Sequence, residues 1–381
     1  METPFVFGKL AVDRNFTNRD SERERLAGNF SGLINTVLIS PRRWGKSSLV
    51  LKSAIEAMSA DKNLHFCFLD AFNIRTEEQF YLALASEVLK ISASKLDAII
   101  ENAKRLMGAF LPKLSFSPGN QDEFSLSLDW KEVKKNPDVI LDMAETVAAE
   151  KGWKLVICID EFQNIATFEN QLAFQKKLRS HWQKHQHVAY CLYGSKRHML
   201  MDVFTSSSMS FYKFGDILFL EKIQMNSWIP FICSRFEDTQ KHISENNAAL
   251  IATLAECHPY YVQQLAQQSW LRTATACSEE IIREAHEGIV SQLSLLFQSK
   301  TEELSTPQIN FLKALLDGVE KFSSKNMIDD YRLGSSANVS RIKKALENKE
   351  IIDILAGNIL VLDPMYKNWL VTRYFIKTKF A

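Results

Sequence analysis

No stretch of the 381 residues approaches the ~20 consecutive apolar residues that span a bilayer, so no membrane-crossing helix is expected. The first nine residues lack the basic region and following apolar stretch of a secretory signal. Cysteine is sparse. Cys67, Cys158, Cys191, Cys233, Cys257 and Cys277 form no Cys-x-x-Cys pair and no cluster with histidine, which argues against a disulfide framework or structural metal and for reduced, buried thiols. Glycine (13 residues) and proline (9) are few, and 46% of the chain is hydrophobic against 24% charged, which excludes a disordered or low-complexity chain. Neither sign of charge dominates. With a net charge of +1 there is no global attraction to nucleic acid or to an anionic membrane, and any such contact needs a local patch. A cytoplasmic globular protein of two or three domains is expected.

What the chain does have is a phosphate-loop pattern at residues 38–49, Leu-Ile-Ser-Pro-Arg-Arg-Trp-Gly-Lys-Ser-Ser-Leu, between an apolar strand (Thr36 to Ile39) and a helix running to about Met58. Backbone N–H groups at a helix N-terminus favour an anion. Gly45 lets the backbone approach phosphate, Lys46 reaches the β- and γ-phosphates, and the Ser47 hydroxyl is a hard oxygen ligand for Mg2+. Ser40 stands where the first glycine of the pattern is usual. Arg42, Arg43, Trp44, Gly45, Lys46, Ser47 and Ser48 are thus candidate ATP-binding residues.

A second strand pattern, Trp153 to Ile159, ends in Asp160-Glu161-Phe162-Gln163. On a strand beside the phosphate loop, Asp160 would hold the Mg2+ shell and Glu161 would polarise the attacking water. A third apolar run, Val188 to Tyr193, leads into Gly194-Ser195, which makes Ser195 and Arg197 candidates for sensing the γ-phosphate. No Asn-Lys-x-Asp motif for guanine is present, which favours adenine. Strand and helix patterns alternate through this half, as crossover-connected parallel sheets require. The capped start at Thr76 predicts a long helical stretch to about Phe110, and Asp20 or Ser21 is the expected cap of the first helix. A β-hairpin is expected over residues 112–130, turning at Pro118-Gly119-Asn120.

Residues 228–298 read as helical, broken near Pro259, which suits the start of a helix. From about Thr301 three helices precede a hairpin turning at Ala356-Gly357-Asn358, the layout of a winged helix-turn-helix. Its third helix carries Arg341, Lys343 and Lys344 as candidate DNA contacts.

Together these residues resemble the prokaryotic AAA+ ATPases of the archaeal-type ATPase group, related to the STAND signalling ATPases. The resemblance lies in Phe16-Thr17-Asn18-Arg19, residues 40–49, Ile159 to Gln163, Gly194-Ser195, His258-Pro259-Tyr260-Tyr261, Asn338 to Leu346 and Asp363-Pro364-Met365 with Trp369. It implies an α/β P-loop NTPase core of AAA+ type with a parallel sheet (1–224), an α-helical lid (225–300) and a winged helix-turn-helix (301–381). It also implies that Asn18 and Arg19 lie near the adenine and that Pro259 belongs to a lid motif touching nucleotide, with Asn18 and Cys257 standing where the family carries glycine. No arginine of the ring-forming kind stands out, which leaves the oligomeric state open.

The expected activity is ATP hydrolysis with ATP and Mg2+ as cofactors. Glu161 and Lys46 would be catalytic, and nucleotide state would move lid and winged helix to act on a protein client. Two alternatives stay open: an ATP-regulated DNA-binding protein (a regulator or mobile-element protein), and a nucleotide-bound scaffold with little hydrolysis.

Overall fold

The computed structural model describes residues 3–93, 96–110, 112–117, 120–205, 209–355 and 357–377. They form two compact units. One is Arg19–Glu221, and the other joins the residues up to Asn18 to those from Lys222 onward.

In Arg19–Glu221, α1 (Asp20–Ser31) leads to β1 (Thr36–Ile39), α2 (Lys46–Ala60) and β2 (Leu64–Asp70). The stretch expected to be one long helix is two, α3 (Glu77–Ser92) and α4 (Leu96–Met107). The break has a local cause: Ser92 Oγ donates to Leu89 O at 2.8 Å and Ala93 is extended, so the chain leaves the helix there. The expected hairpin is present as antiparallel β3 (Lys113–Ser117) and β4 (Asn120–Ser127), although Pro118 and Gly119 of its turn lie outside the described residues. Next come α5 (Trp130–Lys135), α6 (Asp138–Leu141), α7 (Met143–Lys151), β5 (Lys154–Asp160), α8 (Gln171–Trp182), β6 (Val188–Gly194), α9 (Arg197–Thr205) and β7 (Asp216–Phe219).

Five strands make one parallel sheet in the order β2-β5-β6-β1-β7. Helices cover both faces, which is why β5 and β6 are near-continuous apolar runs. Ile39 is level with Gly194 and Asp70 with Asp160, so the strand tips share one edge. One expectation changes: β5 is not beside β1, because β6 lies between them. Apolar runs carry no record of strand order, and only the crossovers decide it.

The α7 side of this unit is pinned by Asp142, whose Oδ1 lies 2.7 Å from His181 Nδ1 and 3.1 Å from His185 Nε2. Burial alone would raise its pKa, but the hydrogen bonds from His185 and His181 outweigh that and hold it below the ordinary carboxylate value. A depressed carboxylate contributes stability above its unfolded pKa of about 3.9 and loses it as pH falls through the lower folded value. Melting temperature should therefore drop as pH falls below about 4, and Asp142→Asn should flatten that slope in calorimetry. An unchanged slope would remove Asp142 from the acid response.

The second unit carries α10 (Met225–Glu237), β8 (His242–Ile243), α11 (Glu245–Leu254), α12 (Pro259–Arg272), β9 (Ala276–Cys277) and α13 (Glu279–Glu302). The sequence pattern did not reveal the two-residue strands β8 and β9, which pair in parallel. Then follow α14 (Thr306–Leu316), α15 (Lys325–Asp330), α16 (Ser336–Asn348), the antiparallel pair β10 (Ile352–Leu355) and β11 (Asn358–Val361), and α17 (Pro364–Trp369). This is the expected winged helix, with α16 capped by Ser335; Ala356 of its turn lies outside the described residues.

Two boundaries differ from expectation. The 300/301 division falls inside α13, and one hydrophobic core runs from Trp228 and Leu265 through Phe297 to Phe311 and Tyr366. The segment before Asn18 joins this unit because Phe5 is buried edge-on against Phe231 and Phe236, and Val6 N–H donates to Gln263 Oε1 at 3.3 Å. No helix among the described residues is long and apolar enough to cross a membrane.

Candidate functional site

The loop from β1 to α2 takes its shape from a few residues. Ser40 is fully buried and donates to Pro41 O at 3.1 Å, so a small residue is needed there. Arg43 (φ 63°) and Gly45 (φ 87°) both have left-handed backbones. An added Cβ on Gly45 would meet nothing within 4 Å, so backbone conformation rather than protein crowding calls for glycine. Lys46 and Ser48, in the first turn of α2, are 7% and 6% exposed. Arg19 braces the loop from below. It is 4% exposed, donates to Glu22 Oε1 at 3.0 Å and reaches Trp44 O at 3.4 Å. Burial lowers its pKa, against the hydrogen bond and charge of Glu22. Arg19 also corrects the expected cap: it holds the N-cap position of α1 itself, at φ 74°, with no side-chain capping bond.

At the tip of β5 the two carboxylates point to different partners. Ser47 Oγ donates to Asp160 Oδ2 at 2.7 Å, and Glu161 N–H donates to Asp160 Oδ1 at 2.8 Å. Burial pushes the Asp160 pKa up, opposed by the Lys46 charge and the Ser47 hydrogen bond. Two oxygens on adjacent corners of an octahedral Mg2+ shell, with bonds of about 2.0–2.1 Å, stand about 2.9 Å apart. The Ser47–Asp160 spacing fits such a pair.

Glu161 itself adopts φ 51°, an uncommon conformation for a residue with a side chain. Its Oε2 accepts from Ser195 Oγ at 2.9 Å, from Ser195 N–H at 3.4 Å, and from Gln163 Nε2. Ser195 Oγ in turn accepts from Arg42 Nε at 3.2 Å. The β1–α2 loop, β5 tip and β6 tip are thus joined by one hydrogen-bonded chain.

Gln163 closes the Asp160-Glu161-Phe162-Gln163 pattern and has no role in the expected chemistry. It is fully buried, its Oε1 has no partner, and that oxygen occupies the space a Cβ on Gly194 would need. The signal was present in the pairing of Glu-Phe-Gln with a strand ending in glycine. The other candidates sit elsewhere. Arg197 lies over the Phe219 ring at 5.7 Å. Asn18 Nδ2 donates to Ser227 Oγ at 2.9 Å within the second unit. There Pro259 is the first residue of α12. Cys257 has φ 54°, the conformation glycine adopts most readily. On α16, Arg341 and Lys344 are exposed, while Lys343 Nζ lies 5.2 Å from the Phe322 ring centroid.

Comparison with known proteins bears on the fold. The family described as "Probable winged helix domain" matches residues 295–372. No curated protein matches the chain. Among solved structures, the chain is similar to the Walker-type ATPase PABY2304 of Pyrococcus abyssi, with TM-score 0.68 and 14% identity over 97% of this chain and 99% of that one. It is also similar to the ADP form of the Aeropyrum pernix ORC2 protein (TM-score 0.52, 16% identity, 97% of each chain). The Aeropyrum pernix ORC1 protein, solved in complex with DNA, gives TM-score 0.51 and 14% identity over 100% of both chains. The chain shares its fold with these structures: a parallel α/β core, a helical region, and a C-terminal winged helix.

Proposed function

We propose that the chain is an ATP-binding, Mg2+-dependent ATPase that works as a molecular switch. One observation carries the reading: Ser47 Oγ bonded to Asp160 at 2.7 Å, with Glu161 next in the chain and tied to Ser195. A loop lysine, a hydroxyl, a metal-holding carboxylate and a second carboxylate make up the set that phosphoryl transfer to water needs.

The backbone N–H groups opening α2 and the Lys46 ammonium take the β- and γ-phosphates. Ser47 and Asp160 would hold Mg2+, which would supply charge neutralisation to the phosphate oxygens. Glu161 keeps Oε2 on Ser195 and Gln163, while Oε1, which takes no hydrogen bond from the described residues, receives the water proton. Lys46→Ala should weaken ATP affinity about 10- to 100-fold, the loss expected when a charge-assisted phosphate contact is removed. Titration with a fluorescent ATP analogue checks it, and wild-type affinity in that variant would sink the phosphate-loop assignment.

A second reading, regulation of DNA binding by nucleotide, is favoured by the exposed Arg341 and Lys344 on α16 and by the DNA complex of the similar ORC1 protein. Binding that weakens steeply with salt, with a shallower slope when Arg341, Lys343 and Lys344 are neutralised, would support it. Salt-independent or undetectable binding would remove it.

A further inference from the structure

Resting on the ATPase reading above, we infer that Arg42 supplies, from the same chain, the cation that neutralises the γ-phosphoryl group during hydrolysis. The side chain leaves the phosphate loop toward the tip of β6, and its Nε donates to Ser195 Oγ at 3.2 Å. A serine hydroxyl has one proton, and that proton goes to Glu161 Oε2 at 2.9 Å. The guanidinium therefore stands two hydrogen bonds from the carboxylate that takes the water proton, on an element that also wraps phosphate.

Two other arginines of the core are placed differently. Arg19 is buried against Glu22 and Trp44 O, and Arg197 lies over Phe219. Lys46 is a single point charge in the first turn of α2. Arg42 carries a planar guanidinium fork, and such a fork matches phosphate oxygens in pairs.

In the step itself, a water oxygen bonds to the γ-phosphorus and the bond from that phosphorus to the bridging oxygen breaks. The electron pair leaves with ADP, the water proton passes to Glu161, and inorganic phosphate is the second product. Arg42 makes no covalent bond; its donors stabilise charge on the γ-oxygens as the group transfers. Hydrolysis then needs no arginine from a second copy of the chain.

The test uses full-length wild type, Arg42→Ala and Arg42→Lys, with ADP alone, ADP plus aluminium fluoride as a mimic of the transferring group, and ATP turnover. Wild type should bind the fluoride complex more tightly than ADP, with turnover per chain independent of protein concentration. Arg42→Ala should keep ADP affinity within about threefold, lose the fluoride-dependent gain, and turn over about 100-fold more slowly. Arg42→Lys should recover only part of the gain. Full turnover in Arg42→Ala, parallel loss of ADP and fluoride-complex affinity, wild-type turnover per chain that rises with protein concentration, or a wild type that binds ADP but not the fluoride complex would each overturn the inference. Wild type that binds neither ADP nor ATP would sink the ATPase reading as well, a result distinguishable from all of these.

Discussion

Glu161→Gln should lower ATP turnover about 100- to 10,000-fold, while ADP and ATP stay bound within about threefold of wild type. The substitution keeps size and shape and removes only the ability to take a proton. The amide oxygen of the new glutamine can still accept from Ser195 and Gln163, where Glu161 Oε2 accepts now, so the left-handed turn at φ 51° keeps its support. Lys46, Ser47 and Asp160, the proposed holders of phosphate and metal, are unaltered. Turnover measured beside equilibrium nucleotide binding separates the two effects. Equal turnover in variant and wild type would take the base role away from Glu161.

Gly194→Ala should cost about 1–3 kcal/mol of stability and slow hydrolysis as well, although residue 194 makes no contact with nucleotide in the proposed mechanism. The added methyl would overlap Gln163 Oε1 and lie 2.9 Å from Gln163 Cδ. A flexible surface side chain would swing away at little cost, but Gln163 is fully buried and has nowhere to go. If it is displaced, Glu161 loses one of its donors and the carboxylate is free to turn. Gln163→Ala opens the space the methyl needs, so the double variant should be more stable than the sum of the single losses predicts. Urea midpoints of the four proteins measure this coupling. Strict additivity would mean that Gly194 and Gln163 do not share the space that the geometry gives them.

The candidate site was legible in the sequence because it is built from short local patterns. An apolar strand entering Gly45-Lys46-Ser47, and another ending in Asp160-Glu161, need no tertiary information to be noticed, and the winged helix announced itself through Ser335 and the paired runs of β10 and β11. What stayed hidden depends on contacts far apart in the chain. The placement of β6 between β1 and β5 is set by crossovers, and Gln163 acquires its role only when β6 brings Gly194 and Ser195 alongside. Arg42 looked like one of two adjacent loop cations until Ser195, 153 positions away, distinguished it. Phe5 has no amphipathic neighbours to reveal that its burial partner is α10, so the first residues were assigned to the wrong unit.

The unbroken α13 gives the second unit a mechanical character. Its 24 residues make a rod of about 36 Å, and the rod is riveted on both sides of the point where a joint was expected. Tyr261 OH, two residues past Pro259, donates to Asp363 at 2.7 Å, and Lys367 Nζ donates to Glu256 Oε1 at 2.7 Å. Thr301 Oγ1 lies 2.8 Å from Tyr366 OH, and Arg373 donates to Ser291 and Ser294 at 2.7 Å each. A tilt of about 10° at one end of such a rod sweeps the other through roughly 6 Å, enough to shift a bound surface by a helical turn. Helices α12 and α16 therefore share one hydrophobic core across the continuous α13, and a displacement near Pro259 would be carried toward the wing along that helix.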